Sequence, residues 1–169
     1  MTRYLSRSIL LAGICFASCT EPNPPTPLAE PDRQFMKMIS YSNYAEISAG
    51  EIANKNGDSM VRWFGSMMKM DHEMAQAELK TLALQKSYGL PGEPDSMSSI
   101  INQNMDTLSG RTFSIAYLSS QLTAHNNAIA ILENQIKTGW DRDLRNYAQK
   151  YLSKVIMHKQ QADSLYKRL

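Results

Sequence analysis

The chain is poor in cysteine and has no long apolar run. Its two cysteines, Cys15 and Cys19, both lie within the first 19 residues. The sequence beyond them therefore offers no thiol for a disulfide or a thiolate metal site, and packing alone must hold the domain together. The apolar run Ile9 to Phe16 is far shorter than the ~20 residues that a membrane-spanning helix needs.

An excess of charge of one sign is also lacking. The chain has 18 Lys and Arg and 16 Asp and Glu, and two of the basic residues, Arg3 and Arg7, precede the apolar run. Beyond that run the two signs balance, with no basic arm and no block of like charge. We therefore expect neither nucleic acid nor an anionic membrane surface as a partner.

Residues 1–18 are typical of a bacterial lipoprotein signal peptide. Arg3 and Arg7 precede the apolar run, which closes on Phe16-Ala17-Ser18 directly before Cys19. Small residues before a cysteine resemble the lipobox, in which the cysteine becomes the lipidated first residue, so Cys19 is the predicted site of lipid attachment. The predicted location is the cell envelope, with a lipid anchor in a membrane. The alternative is ordinary cleavage after an Ala-x-Ala-like site, which would leave a soluble periplasmic protein with one odd thiol.

Residues 19–32 are predicted to form a disordered tether. Prolines recur there among few apolar residues, a composition that stays extended and solvated. They are Pro22, Pro24, Pro25, Pro27 and Pro31. Residues 33–169 then suit one domain of ordinary size.

Four long segments of that domain carry apolar residues in steps of three and four, which predicts amphipathic helices, and no segment alternates with period two. They run from about Arg33 to Lys55, from the N-cap cluster at Asp58 to the stop at Tyr88, from about Arg111 to Lys137, where Gly139 ends the helix, and from about Leu144 to Leu165. Residues 94–110 show a weaker helical pattern, for a short helix that lies across the bundle or carries the chain to its other end. The predicted fold is an all-α, ferritin-like four-helix bundle with this extra helix between helices two and three.

Each of the three histidines lies near the centre of a different long segment, on the stripe that should face the core. They are His72, His125 and His158, and Glu46 takes that place on the first segment. In an antiparallel bundle these four side chains converge at one level. Three imidazoles and a carboxylate suit a transition metal ion such as zinc, copper or iron, so these four are the predicted ligands. Asp71, which adjoins His72, and Tyr117 are predicted to lie behind them.

A structural alternative remains open for the same residues. Buried histidines can simply hydrogen-bond to Glu46, Asp71, Tyr117 or one another, in a polar layer that fixes helix register. The protein would then be a non-catalytic envelope lipoprotein whose protein partner the sequence does not identify. No glycine-rich phosphate loop, nucleophile elbow or Cys-x-x-Cys occurs, so no enzymatic activity is indicated.

A second pattern lies on the second helix beside its core stripe. Met60, Trp63, Met67, Met70 and Met74 follow one another in steps of three and four. Thioethers are soft ligands that select copper(I). Methionine is also a flexible core filler, and we favour packing of this stripe beneath residues 94–110.

Several short motifs occur in a characteristic order. They are Tyr44-Ala45-Glu46-Ile47, Val61-Arg62-Trp63-Phe64 leading to Met67-Met68 and Asp71-His72, then Phe113 and Tyr117 with His125, and finally His158. Between about Gln34 and Leu165 the chain resembles the bacterial domain-of-unknown-function family 4142. The resemblance implies an exported, often lipid-anchored, ferritin-like bundle at the outer membrane, facing the periplasm, and it implies no activity. An acidic residue usually follows the phenylalanine of the third helix, and here Ser114 takes its place.

Overall fold

The protein, described by a computed structural model over residues 27–169, is all-helical in that part of the chain. Its five helices are α1 (Glu30–Asn56), α2 (Ser59–Gln85), α3 (Ser96–Asp106), α4 (Gly110–Thr138) and α5 (Arg142–Tyr166), with no strand between residues 27 and 169. The predicted all-α class is therefore confirmed. None of these helices is apolar enough over a sufficient length to cross a membrane. The predicted signal peptide, Cys19 and most of the predicted tether lie outside the described residues.

Three of the helices begin at an aspartate that caps the first turn. Asp58, Asp95 and Asp141 each accept hydrogen bonds from two backbone N–H groups of α2, α3 and α5. Such a cap stabilises a helix by about 1 kcal/mol, because it satisfies donors that have no partner within the helix. The N-cap predicted before α2 is thus confirmed at Asp58, and α4 ends before Gly139 as predicted.

The first helix begins at Glu30, three residues earlier than predicted and within the segment that the sequence predicts to be a tether. Pro31 stands in the first turn of α1, where its missing N–H costs no hydrogen bond. Asp32 is buried, and its carboxylate accepts hydrogen bonds from the backbone N–H groups of Trp140 and Asp141. These contacts join the start of α1 to the start of α5, a tertiary relationship that proline content could not reveal.

Each long helix packs antiparallel to both of its neighbours. α1 and α5 each contact α2 and α4. One apolar cluster gathers the start of α1 and α5 with the end of α2 and α4, and the opposite cluster gathers their other ends. The first includes Phe35, Leu79, Leu132 and Leu144, and the second includes Ala53, Phe64, Phe113 and Ala162. The three histidines lie between the two clusters. On each of α2, α4 and α5, residues of one cluster precede the histidine and residues of the other cluster follow it.

Helix α3 carries the chain along α1 from one end of the domain to the other. Ser40 Oγ donates to Pro91 O at 3.0 Å, and Asn102 Nδ2 donates to Ala45 O at 3.0 Å. Farther along α1, Lys55 pairs with Asp106 at 3.0 Å. The second of the two roles predicted for this segment is therefore confirmed, and α3 lies over α1 and α4.

This position of α3 corrects the packing predicted for the methionine stripe of α2. Because α3 lies against α1 and α4, it leaves the stripe open to solvent. Met60, Trp63, Met70 and Met74 are between 45% and 60% exposed. The expectation that residues 94–110 cover them was wrong, since helical periodicity does not show which of several neighbours a connecting helix selects.

Candidate metal centre

His72, His125 and His158 meet at mid-height in the core. Their ring centroids are 5.6 to 6.0 Å apart, and all three side chains are buried. One ring nitrogen from each lies within 4.8 Å of the corresponding nitrogens of the other two. The three histidines thus converge as the sequence analysis expected, one from each of α2, α4 and α5.

The ring of His72 is oriented by an amide from α1. Its Nδ1 lies 3.0 Å from Asn43 Oδ1, while Asn43 Nδ2 donates to Gln76 Oε1 at 3.1 Å. The Gln76 amide in turn donates to Ser40 Oγ. Since an amide oxygen only accepts, Nδ1 of His72 carries the proton and Nε2 keeps its lone pair.

The ring of His125 is oriented by its own helix. Nδ1 lies 2.9 Å from the backbone carbonyl oxygen of Gln121, one turn earlier on α4. A carbonyl oxygen also only accepts, so the proton of His125 resides on Nδ1. Nε2 is again the nitrogen with a free lone pair.

The ring of His158 has the opposite tautomer, because a carboxylate orients it. Its Nε2 donates to Asp71 Oδ2 at 2.9 Å, and Lys154 Nζ donates to Asp71 Oδ1 at 2.6 Å. Burial by itself would raise the pKa of Asp71, but the hydrogen bonds from Lys154 and His158 lower it below its ordinary value. Asp71 is therefore an anion, and Nδ1 of His158 is left with its lone pair.

The nitrogens left over by these hydrogen bonds are His72 Nε2, His125 Nε2 and His158 Nδ1. Each is buried and has no hydrogen-bond partner. A buried polar atom without a partner costs roughly 1–3 kcal/mol, so three of them in one place are unusual for a purely structural layer. Imidazole binds a transition metal at roughly 2.0–2.1 Å, which requires nitrogens about 3.5 Å apart. Small movements of the three rings would complete such a site.

The protonation states of His72 and His158 also suit metal binding. Burial lowers the pKa of His72 well below its ordinary value, and the neighbouring His125, His158 and Lys154 act in the same direction. Burial also lowers the pKa of His158, although the hydrogen bond to Asp71 acts in the opposite direction. Both rings are therefore neutral at pH 7, the form in which imidazole binds a metal.

Glu46, a predicted ligand, does not join the three histidines. Its Oε2 accepts a hydrogen bond from Gln121 Nε2 at 2.7 Å, and its Oε1 lies 4.0 Å from Nδ1 of His125. The carboxylate therefore lies on the side of His125 that faces away from the free nitrogen. Burial raises the pKa of Glu46, while His125 and Gln121 act to lower it. Of the four side chains predicted as ligands, the structure therefore brings the three histidines together and places Glu46 behind His125.

Of the two residues predicted to lie behind the ligands, Asp71 does so and Tyr117 does not. Asp71 accepts from His158, whereas Tyr117 lies in the apolar cluster beside the centre. The Tyr117 ring stacks on Phe113 at 5.7 Å, and its hydroxyl has no hydrogen-bond partner. Burial and the charge of Glu46 raise the pKa of that hydroxyl well above its ordinary value.

Asn43 and Lys154 were not predicted from the sequence to belong to the site, although the helical spacing of each residue was consistent with such a position. Asn43 stands four residues after Ile39 and three before Glu46, on the buried face of α1. Lys154 stands four residues before His158, the spacing at which two side chains share one helix face. Either spacing could have suggested a residue that orients a histidine.

A small cavity adjoins the centre on the side of His72 and His158. Its volume is about 20 Å³, enough for a water-sized molecule. Apart from the groups that orient the two histidines, its walls are largely apolar. They include Ile39, Ala75, Ala128, Leu132 and Val155. A metal held by the three histidines could therefore take a small fourth ligand from this side.

Comparisons with known proteins support the fold and the family. The structure is similar to the crystal structure of a DUF305 fragment from Deinococcus radiodurans, with a TM-score of 0.75 at 12% sequence identity. The match covers 85% of this chain and 100% of that chain, and at this identity it shows the fold alone. No curated protein matches the chain. The family model for the domain of unknown function DUF4142 matches residues 17–165, and the chain therefore belongs to the DUF4142 family.

Proposed function

We propose that this protein binds a divalent transition metal ion through His72, His125 and His158. One observation carries the proposal. The nitrogens without a hydrogen-bond partner in these three rings are the ones left free after an amide, a backbone carbonyl and a carboxylate have fixed the other nitrogen of each ring. Metal-bound histidines are typically oriented in this way by a partner on the second nitrogen.

The donor set suits zinc, copper or iron. Three neutral imidazoles carry no charge that would balance the charge of the ion. The nearest carboxylates do not face the ion directly but lie behind the histidine rings. Asp71 lies behind His158 at 2.9 Å, and Glu46 lies 4.0 Å from His125. A site with three protein nitrogens and space for a small fourth ligand resembles an open metal site. A structural metal site usually has four protein ligands. Storage or buffering of the metal fits this geometry.

The proposal includes an anchor in the cell envelope. Cys19 follows the lipobox-like residues 16–18, and we propose that it carries a lipid at the outer membrane, facing the periplasm. The prolines after it would tether the domain. We also propose that the four long helices form a ferritin-like four-helix bundle in which α3 makes the long crossover.

The second candidate is a non-catalytic envelope protein whose histidine layer is structural. It draws support from the links that the layer makes between helices, since Asn43 of α1 bonds to His72 of α2, and Asp71 of α2 bonds to His158 of α5. It leaves the three unpaired nitrogens without an explanation. The metal-binding function is therefore the better supported.

Elemental analysis of the protein purified without an affinity tag tests the proposal. We expect about one transition metal ion per chain in the wild type and a loss of that ion in His125→Gln and His158→Gln. Glu78→Gln is the matched control, because Glu78 is bonded to α5 through Tyr151 at 2.8 Å but does not touch the histidines. A wild-type protein that stays metal-free after incubation with zinc, copper(II) and iron(II) would favour the structural layer.

A further inference from the structure

We propose a second metal site on the surface, which takes a soft monovalent cation, copper(I) or silver(I). Its ligands are the thioethers of Met67, Met70 and Met74 on α2 and of Met157 on α5. This site does not rest on the proposed function of the histidine centre, since the two sets of residues have no member in common.

The three α2 methionines lie on one open face of the helix. Their spacing of three and four residues places successive side chains on the same side of α2, one turn apart. Met70 is 56% exposed and Met74 is 49% exposed, while Met67 is half-buried. Because α3 lies on the α1 and α4 side of the domain, the sulfur atoms of this face remain accessible to an ion from solvent.

Met157 stands between Lys154, which bonds to Asp71 of α2, and Gln161, which lines a cavity with Met60 and Trp63 of α2, so it belongs to the side of α5 that borders α2. It immediately precedes His158 on α5, and Met70 immediately precedes Asp71 on α2, while His158 and Asp71 are bonded at 2.9 Å. The two helices are antiparallel, and Lys154 of α5 also bonds to Asp71. Met157 therefore lies at the height of Met70, and it is 40% exposed. Thioethers from two helices thus line one stretch of the α2–α5 groove.

The chemistry of the patch favours a soft ion over an apolar partner. Thioethers are neutral, polarisable donors that select copper(I) over hard divalent ions. The four proposed ligands are all thioethers, and Trp63, the exposed aromatic residue of the same α2 stripe, lies one turn before Met67. Lys154, one turn before Met157 on α5, is paired with Asp71 at 2.6 Å, which reduces its repulsion of a bound ion. That ion pair also separates the patch from the histidine centre.

Silver(I) provides a redox-stable probe for the site. We would label the methionine methyl groups of the full chain with ¹³C, assign them with single Met→Leu variants, and titrate silver nitrate in chloride-free buffer. The methyl signals of Met67, Met70, Met74 and Met157 should shift together and saturate at one ion. The exposed Met38 and Met97, which lie on α1 and α3, should not shift.

Leucine substitutions separate thioether binding from an apolar docking surface. The triple variant Met70→Leu/Met74→Leu/Met157→Leu preserves an apolar surface but removes three sulfur atoms, so it should bind one silver ion fewer than the wild type. Met38→Leu/Met97→Leu is the matched control and should bind as the wild type does. Silver binding to the patch should persist in His125→Gln/His158→Gln, so a failure of the histidine centre leaves this result unaffected. Equal shifts of every exposed methionine, no shift of these four, or undiminished binding by the triple variant would each overturn the proposal.

Discussion

Oδ2 of Asp71 lies 2.9 Å from Nε2 of His158, and this contact determines which nitrogen of His158 is left without a hydrogen-bond partner. The second carboxylate oxygen accepts from Lys154, so both oxygens are occupied and the carboxylate is held in place. Asn43 and the Gln121 carbonyl orient the other two rings with different chemistry. All three arrangements leave one nitrogen per ring without a hydrogen-bond partner, in three rings whose centroids are 5.6 to 6.0 Å apart.

Binding of a metal should raise the melting temperature of the wild-type protein. An ion at a hundred times its dissociation constant adds roughly 2.7 kcal/mol to the free energy of unfolding, because it binds only the folded state. Scanning fluorimetry with zinc, copper(II) and iron(II) would measure the rise, and EDTA should reverse it. His125→Gln and His158→Gln should show no rise. Because the pKa of His72 and of His158 is lowered, the rise should persist below pH 6.5 before protonation removes it.

Asp71→Asn should weaken metal binding while it preserves the shape of the side chain. An asparagine can present its NH₂ group to Nε2 of His158, which would move the ring proton to Nδ1 and occupy the nitrogen needed for the metal. We expect affinity to fall by about 10–100-fold, measured by competition with a chelating dye. Glu78→Gln, which also neutralises a carboxylate between α2 and α5, should leave affinity unchanged. Equal affinity in Asp71→Asn and wild type would contradict this role of Asp71.

Glu46→Gln should stabilise the metal-free protein at pH 7. Burial raises the pKa of Glu46 above its ordinary value of 4.5, so the folded state binds a proton more tightly than the unfolded state does. The free energy of unfolding of the wild type therefore falls as the pH rises from 4.5 through the pKa of Glu46 in the folded state. Above that pKa, the full cost of burying the charged carboxylate is present. Glutamine carries no charge and removes that penalty, so we expect a gain on the order of 1 kcal/mol in the free energy of unfolding.

Denaturant titrations of the Glu46→Gln variant and the wild type at several pH values would measure this difference. The gain in the free energy of unfolding should disappear below pH 4.5, where Glu46 is protonated in both states. Ser66→Ala, on the exposed side of α2, is a control that should not change the pH dependence. A variant less stable than wild type at pH 7 would show that the Glu46 charge is stabilised by its neighbours.

Cys19→Ala should release the protein from the membrane into the soluble periplasmic fraction. Cys19 alone follows small residues at the end of the apolar run, so it is the expected acceptor of the lipid. Cell fractionation and immunoblotting would measure the release. Cys15→Ala is the matched control and should remain with the membrane. Retention of Cys19→Ala in the membrane fraction would refute the lipid anchor.

The sequence by itself determined the helices and the meeting of the histidines. Helical hydrogen bonds are local, and a side chain on the apolar stripe points to the core wherever the helix ends fall. Because His72, His125 and His158 each stand near the middle of such a stripe, their convergence required only that the segments pack side by side. The caps at Asp58 and Gly139 were visible for the same reason, since they depend on neighbouring residues.

Only the tertiary structure decided which residues of α1 serve the centre. Asn43 and Glu46 are three residues apart and therefore differ by about 60° around the helix, so both lie on its buried side. Because α1 packs between α2 and α4, Asn43 contacts His72 of α2 while Glu46 contacts Gln121 of α4. The rotation of α1 about its own axis determines which of the two residues faces α2 and which faces α4. That rotation depends on the packing of the whole domain. The exposure of Met70 and Met74 was likewise decided by the groove that α3 occupies, a choice made between distant parts of the chain.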